Sequence, residues 1–315
     1  MMRDIKMRFA LLILLATVLG ACGAEVDQPA WPNGPTPGGP SNPTNPDPGS
    51  SQRPTLIQAV VDHVTLPENA LDFAVDFGDG MARNRLGGLF AAVRAAFPNM
   101  KVTDMEVALV ERPLLLELLG SSTLNDDKAR LIGYVGDRVA KAAENLSTDK
   151  YTISADDPGL AAIRANIRQG RVDAGPGRMT VPLPDDKTAN GSVPRLLGLA
   201  RTQISFDVDL VGGTIQNGVL AGAISVAAVR KNLMPLLHEQ LLKLAAEGGE
   251  LQRVLGRLFD LDADGTITFD EMLASNPVKL ALSADVDTDG DGTADAISFG
   301  LGFRGKAVRI EHDLQ

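Results

Sequence analysis

Residues 251–303 open with Leu251-Gln-Arg-Val254-Leu255-Gly-Arg-Leu258-Phe259 and continue as Asp260-Leu-Asp262-Ala-Asp264-Gly265-Thr266-Ile267-Thr268-Phe269-Asp270-Glu271. The first segment has helical apolar spacing, and Phe269 to Ser275 predicts a short exit helix stopped by Asn276-Pro277. Beyond it, Val278, Leu280, Leu282, Ala284 and Val286 alternate with more polar residues, as do Ile297, Phe299, Leu301 and Phe303. Period two predicts strands. Between those runs lies a second acidic turn, Asp285-Val-Asp287-Thr-Asp289-Gly290-Asp291-Gly292-Thr293-Ala294-Asp295.

The first turn carries carboxylates at loop positions 1, 3 and 5, glycine at 6, an apolar residue at 8 and glutamate at 12. Ca2+ takes six to eight hard oxygen ligands at about 2.3–2.6 Å, which a short loop supplies only by coiling round the ion. Asp260, Asp262 and Asp264 would each give an oxygen, Thr266 its carbonyl, Thr268 a hydroxyl or a held water, and Glu271 both carboxylate oxygens. Gly265 permits the reversal. This stretch resembles an EF-hand calcium loop.

In the second turn two frames compete. Starting at Asp287 puts acids at positions 1, 3, 5 and 9, namely Asp287, Asp289, Asp291 and Asp295, with Thr293 at 7 and Gly292 at 6. Starting at Asp285 leaves nothing useful at 12. The first frame is preferred, although its position 12 is Ser298 and the bidentate ligand is missing. The two loops start 27 residues apart, too close for a paired lobe, so the second is expected as a β-hairpin whose turn resembles bacterial Asp-x-Asp-x-Asp-Gly calcium loops. A third turn, Val75-Asp76-Phe77-Gly78-Asp79-Gly80-Met81-Ala82-Arg83, reads like the second with its central aspartate deleted and Arg83 where an acid would be. It is expected to bind nothing.

The chain opens with Arg3, Lys6 and Arg8 and then an apolar run, Phe9 to Leu19. Eleven helical residues reach about 16 Å, short of a hydrocarbon core of about 30 Å, so residues 1–21 are expected to be a signal peptide. Leu19-Gly20-Ala21-Cys22 resembles the lipobox of bacterial lipoproteins, which implies that Cys22 is lipidated and anchors the chain to a membrane. Gly23 beside it leans, by the same resemblance, towards the outer membrane. Cys22 is the single cysteine of the chain, which excludes intramolecular disulfides and multi-cysteine metal sites. Gly23 to Pro54 holds nine prolines among small polar residues and cannot bury enough apolar surface to order itself. Residues 22–54 thus form the lipidated cysteine and a tether spanning between about 30 and 100 Å.

The formal net charge is -10. Loss of residues 1–21 removes three bases and one acid, giving -12, a poor match for nucleic acid or anionic lipid headgroups. No catalytic constellation stands out. His238-Glu239 begins like a zinc-protease helix, but Leu242 occupies the place of the second histidine, and His238 reads as a partly exposed helix residue. Gly300-Leu-Gly302-Phe-Arg-Gly305 lacks the following helix and strand that a dinucleotide site needs.

In the remaining body, Leu56–Val64 reads as a strand or short helix and Leu71–Phe77 as a strand. Helices are expected at 89–97, 125–145, 159–168 and 229–244, with strands at 178–183, 204–210 and 219–226. The expectation is therefore an α+β fold, mixed helices and antiparallel strands, with a body at 55–250 and a C-terminal EF-hand plus calcium-loop hairpin at 251–315. The whole chain resembles EF-hand lipoproteins of predatory or soil deltaproteobacteria. The function expected is a non-enzymatic envelope lipoprotein in which Ca2+ is mainly structural, with a surface open to a protein or polysaccharide partner. A calcium-dependent envelope hydrolase and a lipid-carrying protein are the alternatives.

Overall fold

The computed structural model describes residues 54–69, 71–88, 104–106, 113–121, 125–140, 150–155, 157–159, 162–182, 196–246 and 248–312. Strands hold 49% of the described residues and helices 21%, and eight strands close into a barrel. The α+β expectation is thereby corrected: the fold is predominantly antiparallel β. The chain divides into two compact units, one containing 54–66, 104–224 and 300–312, the other 67–88 and 225–299.

The first unit is built on β1 (Thr55–Thr65), β5 (Leu114–Leu119), β6 (Asp126–Ala140), β8 (Ile163–Arg168), β9 (Arg171–Pro182), β10 (Leu196–Asp209), β11 (Thr214–Ser225) and β12 (Ala296–Ala307). They follow the order β6-β5-β1-β12-β11-β10-β9-β8, and β8 pairs back onto β6 to close the circuit. Strand β6 is long enough to hold two partners on one edge. Asp126 to Leu131 pairs with β8, and Gly136 to Ala140 with β7 (Lys150–Ile153). Short strand β4 (Asp104–Glu106) pairs with the end of β1, and β13 (Arg309–Glu311) runs parallel to β7.

Alternation explains the inside of the barrel. On β8, Ile163, Ala165 and Ile167 are buried while Arg164 and Arg168 are exposed. On β5 both faces are covered, which is why its sequence is a nearly unbroken leucine run. Leu114, Leu116 and Leu118 lie opposite Val135, Gly133 and Leu131, and an added Cβ at Gly133 would fall 2.5 Å from Met179 Cε, so this face is internal. An eight-stranded barrel leaves an interior just wide enough for side chains to fill. Phe206 and Phe303 meet edge-to-face there with centroids 6.1 Å apart, and Gly218 leaves room for the Phe303 ring. Leu115 faces the other way, into a second cluster with Val60, Tyr151, Val308 and Ile310 beneath β7 and β13.

The expected helix at 125–145 is β6 over its described part, and that at 159–168 gives way to β8. The expected strands at 178–183, 204–210 and 219–226 correspond to the longer strands β9, β10 and β11, which end at Pro182, Asp209 and Ser225. Leu56–Val64 is strand, within β1. The expected helix at 89–97 lies outside the described residues.

The second unit carries the helices: α1 (Val226–Ala228), a π-helical turn (Val229–Leu233), α2 (Met234–Ala245), α3 (Gly249–Phe259), α4 (Phe269–Ala274) and α5 (Asn276–Ala281). Ser225 caps the start by accepting the Ala228 N–H. Gly248 and Gly249, both at positive φ, turn the chain between α2 and α3. Leu241, Leu255, Phe259, Ile267, Met272 and Val278 are buried here. The first part of the expected strand at 278–286 is instead α5, which runs to Ala281 and is begun by Pro277 in its first turn, and Val278 and the C-cap Leu282 are buried at helical i, i+4 spacing. Only a single bridge, Val286 with Ala296, closes the base of the second loop, so the expected β-hairpin is corrected to a loop between a helix and β12. Leu71–Phe77 is turn apart from β2 (Val75–Asp76), which pairs with β3 (Ala82–Arg83).

Candidate metal centre

Helix α3 ends at Phe259, whose buried ring anchors the start of the first loop, and α4 begins at Phe269. Thr268 caps α4 through a reciprocal arrangement in which its Oγ1 accepts the Glu271 N–H and its own N–H donates to Glu271 Oε2 at 2.9 Å. This fixes Glu271 over the loop, where Oε1 accepts the N–H groups of Leu261 at 2.9 Å and Asp262 at 3.2 Å. Gly265, at φ 88°, donates its N–H to Asp260 Oδ2 at 3.0 Å. The loop is thus cinched from both ends.

One carboxylate oxygen from each of Asp260, Asp262 and Asp264 lies within 4.8 Å of the others. Electrostatics record the crowding. The Asp264 N–H pulls the Asp262 pKa down, but lost hydration and the charges of Asp264, Glu271 and Asp260 outweigh it, so Asp262 stands above the usual aspartate value. Glu271 moves the opposite way, to about 2, because the Thr268 hydroxyl and N–H and the N–H groups of Asp262 and Leu261 stabilise its charged form.

The second loop repeats this wiring. Gly292 donates to Asp287 Oδ2 at 2.8 Å as Gly265 does to Asp260. The position-7 threonines, Thr293 and Thr266, each donate N–H at 2.7 Å to the aspartate at position 5, Asp291 or Asp264. Oxygens of Asp287, Asp289 and Asp291 also lie within 4.8 Å of one another. N–H groups of Gly290 and Gly292 hold Asp287 below its usual pKa.

What closes the second loop differs from the first. Ser298, at position 12, is fully buried and faces Asp285: its N–H and Oγ donate to the two Asp285 oxygens at 2.7 and 2.6 Å, and its Oγ accepts the Arg85 N–H at 2.7 Å. Asp285 is therefore a brace, which supports the frame that begins at Asp287. Across the mouth Asp295 accepts the N–H and hydroxyl of Thr288 at 2.8 and 2.7 Å. The position-2 N–H that binds Glu271 in the first loop binds Asp295 in the second. The position-9 acid thus stands in for the missing glutamate, a role invisible in the spacing alone.

In the third turn Asp76 accepts N–H groups from Gly78, Asp79 and Gly80. Arg83 reaches Asp79 at 2.5 Å. Although desolvation opposes it, the Arg83 hydrogen bond and charge lower the Asp79 pKa. A guanidinium sits against the acid here.

One polar cluster escaped the sequence reading. Glu117 is 4% exposed and accepts hydrogen bonds from Thr55 Oγ1, Gln58 Nε2 and Tyr134 OH at 3.1, 2.9 and 3.0 Å, with His312 Nε2 at 3.4 Å. Its signal in the sequence is a lone charge within Leu114–Leu119. Burial, then the Glu117 charge, pushes the Tyr134 pKa up. Four neighbours satisfy the carboxylate, and the cluster ties β1, β5 and β6 to the segment after β13. Cys22 lies outside the described residues. No family model, curated protein or solved structure matches the chain.

Proposed function

We propose that the protein binds Ca2+ at two loops, and that the ions act structurally in the helical unit of a lipid-anchored envelope protein. Asp260, Asp262, Asp264, Thr266, Thr268 and Glu271 would hold one ion, and Asp287, Asp289, Asp291, Thr293 and Asp295 the other. The observation that carries the reading is the repeated wiring: two loops of different flanking structure share hydrogen bonds from positions 6 and 7 and at a closing acid. Each also converges three carboxylate oxygens. A divalent cation would relieve the repulsion that raises Asp262.

Signal residues 1–21, Cys22 and the proline-rich tether support placement outside the cytoplasm on a membrane. There calcium is plentiful, and extracellular modules bind at about 10⁻⁴–10⁻³ M. For a site with a dissociation constant nearer about 10⁻⁵ M, millimolar calcium stands at about 100 times that constant and adds roughly 2.7 kcal/mol of stability, a large part of a typical folding free energy of about 5–15 kcal/mol. The contacts of Met179, Ile163 and Phe303 against interior glycines favour a packed barrel over a lipid carrier.

Calorimetric titration of the chain lacking residues 1–21 tests this. Two sites are expected in the parent, with Glu271→Gln removing one and Asp289→Asn the other. Absence of binding at millimolar calcium overturns the proposal, as does unaltered binding in both variants.

A further inference from the structure

His238 on α2 is half-buried, and its Nε2 lies 2.9 Å from the backbone oxygen of Ile267. A carbonyl oxygen can only accept, so Nε2 carries a hydrogen. The ring also meets Phe269 edge-to-face, with centroids 5.6 Å apart and planes at 73°. Ile267 sits between Thr266 and Thr268, and its own side chain is buried at 6% exposure. Both ends of this residue are therefore gripped.

Thr268, the residue that caps α4, is extended, at φ −78° and ψ 159°. The Thr266 carbonyl belongs to the peptide plane that ends at the Ile267 nitrogen, so a hold on both the carbonyl and the side chain of Ile267 limits how far that plane can turn.

We propose that His238 is a positioning residue for the first loop, its imidazole N–H fixing the Ile267 carbonyl and so presenting the Thr266 carbonyl to Ca2+. The inference rests on the calcium reading of residues 260–271. Without the donor the free loop spreads over more conformations, and the apparent dissociation constant rises by the fraction of competent loop that is lost.

The test uses the mature chain carrying Asp289→Asn, so that only the first site is read, with calcium itself as the probe. His238→Leu, which keeps apolar contact with Phe269 but has no donor, should weaken binding about three- to tenfold. His238→Gln, whose amide N–H reaches the same carbonyl, should stay within about twofold of the parent. The His238 ring should show the Nε2–H form by nitrogen NMR and shift with the first equivalent of calcium. Equal affinity in the parent and His238→Leu proteins overturns the proposal while leaving calcium binding intact. Should the leucine variant fail to fold in chelator, a ring signal that ignores calcium overturns it instead. A parent that binds no calcium removes the underlying reading, and the positioning role with it.

Discussion

Gly136→Ala separates the barrel from the helix that residues 125–145 suggest, because the two predict opposite signs. In a helix the substitution stabilises by about 1 kcal/mol, since glycine is the poorer helix former. In β6 an added Cβ lies 2.5 Å from Leu115 Cδ1 and 2.7 Å from its Cγ, and Leu115 is fully buried in the cluster with Val60 and Tyr151. Overpacking of this kind costs about 1–3 kcal/mol. The stiffer unfolded chain returns about 0.4–1 kcal/mol. The net expectation is a loss of about 0.5–2 kcal/mol, which at about 2–4 °C per kcal/mol for a unit of this size lowers the melting temperature by a few degrees. Urea denaturation followed by circular dichroism measures it. Leu115→Val in the same chain should recover part of the loss, so the pair is non-additive. A stabilised Gly136→Ala protein refutes the assignment of β6.

Glu117→Ala should cost about 2–4 kcal/mol by leaving the Gln58 and Tyr134 donors unpaired in a covered wall. Glu117→Gln, which keeps an acceptor, should lose less, and a change under about 0.5 kcal/mol for the alanine protein speaks against the network. Tyr134 holds its proton more tightly folded than unfolded, so its stabilising share is complete below the unfolded tyrosine pKa of about 10 and is lost as pH rises beyond it. In a Tyr151→Phe chain, which keeps one tyrosine of the two, phenolate absorbance should lag a free tyrosine until unfolding, and ordinary titration contradicts the burial. Ser298→Ala should lower stability by about 1–3 kcal/mol, because it leaves Asp285 and the Arg85 N–H short of a partner. Calcium affinity of the first loop should not change with it.

The two acidic turns were legible because Asp and Gly at fixed spacing set local hydrogen bonds from loop N–H groups to carboxylates, and neither turn needs distant chain to be recognised; Ca2+ in them is our proposal. The contact that closes the second loop in place of a position-12 glutamate was not legible. Which carboxylate closes it depends on how Ser298 turns inward to Asp285, a tertiary fact. The barrel was hidden for another reason. Between Asp126 and Ala140, alanine, lysine, arginine and leucine favour a helix and Asn125 looks like a cap, yet Ala129, Leu131 and Val135 are all buried on one face. Gly133 and Gly136, costly in a helix, were the available sign of a strand. Barrel closure itself, β8 returning to β6, is a long-range pairing that no local pattern announces. Around α5 five apolar residues at alternate positions from Val278 to Val286 imitated a strand, but Pro277 suits the first turn of a helix. His238 looked incidental because its partner is a backbone carbonyl, which has no sequence signature.

The most direct test of the central claim is calcium stoichiometry by equilibrium dialysis of the metal-stripped mature chain against millimolar calcium, with elemental analysis of the retained protein. Two ions per chain is the expected result, one for Asp260 to Glu271 and one for Asp287 to Asp295. A chain that retains none contradicts the account.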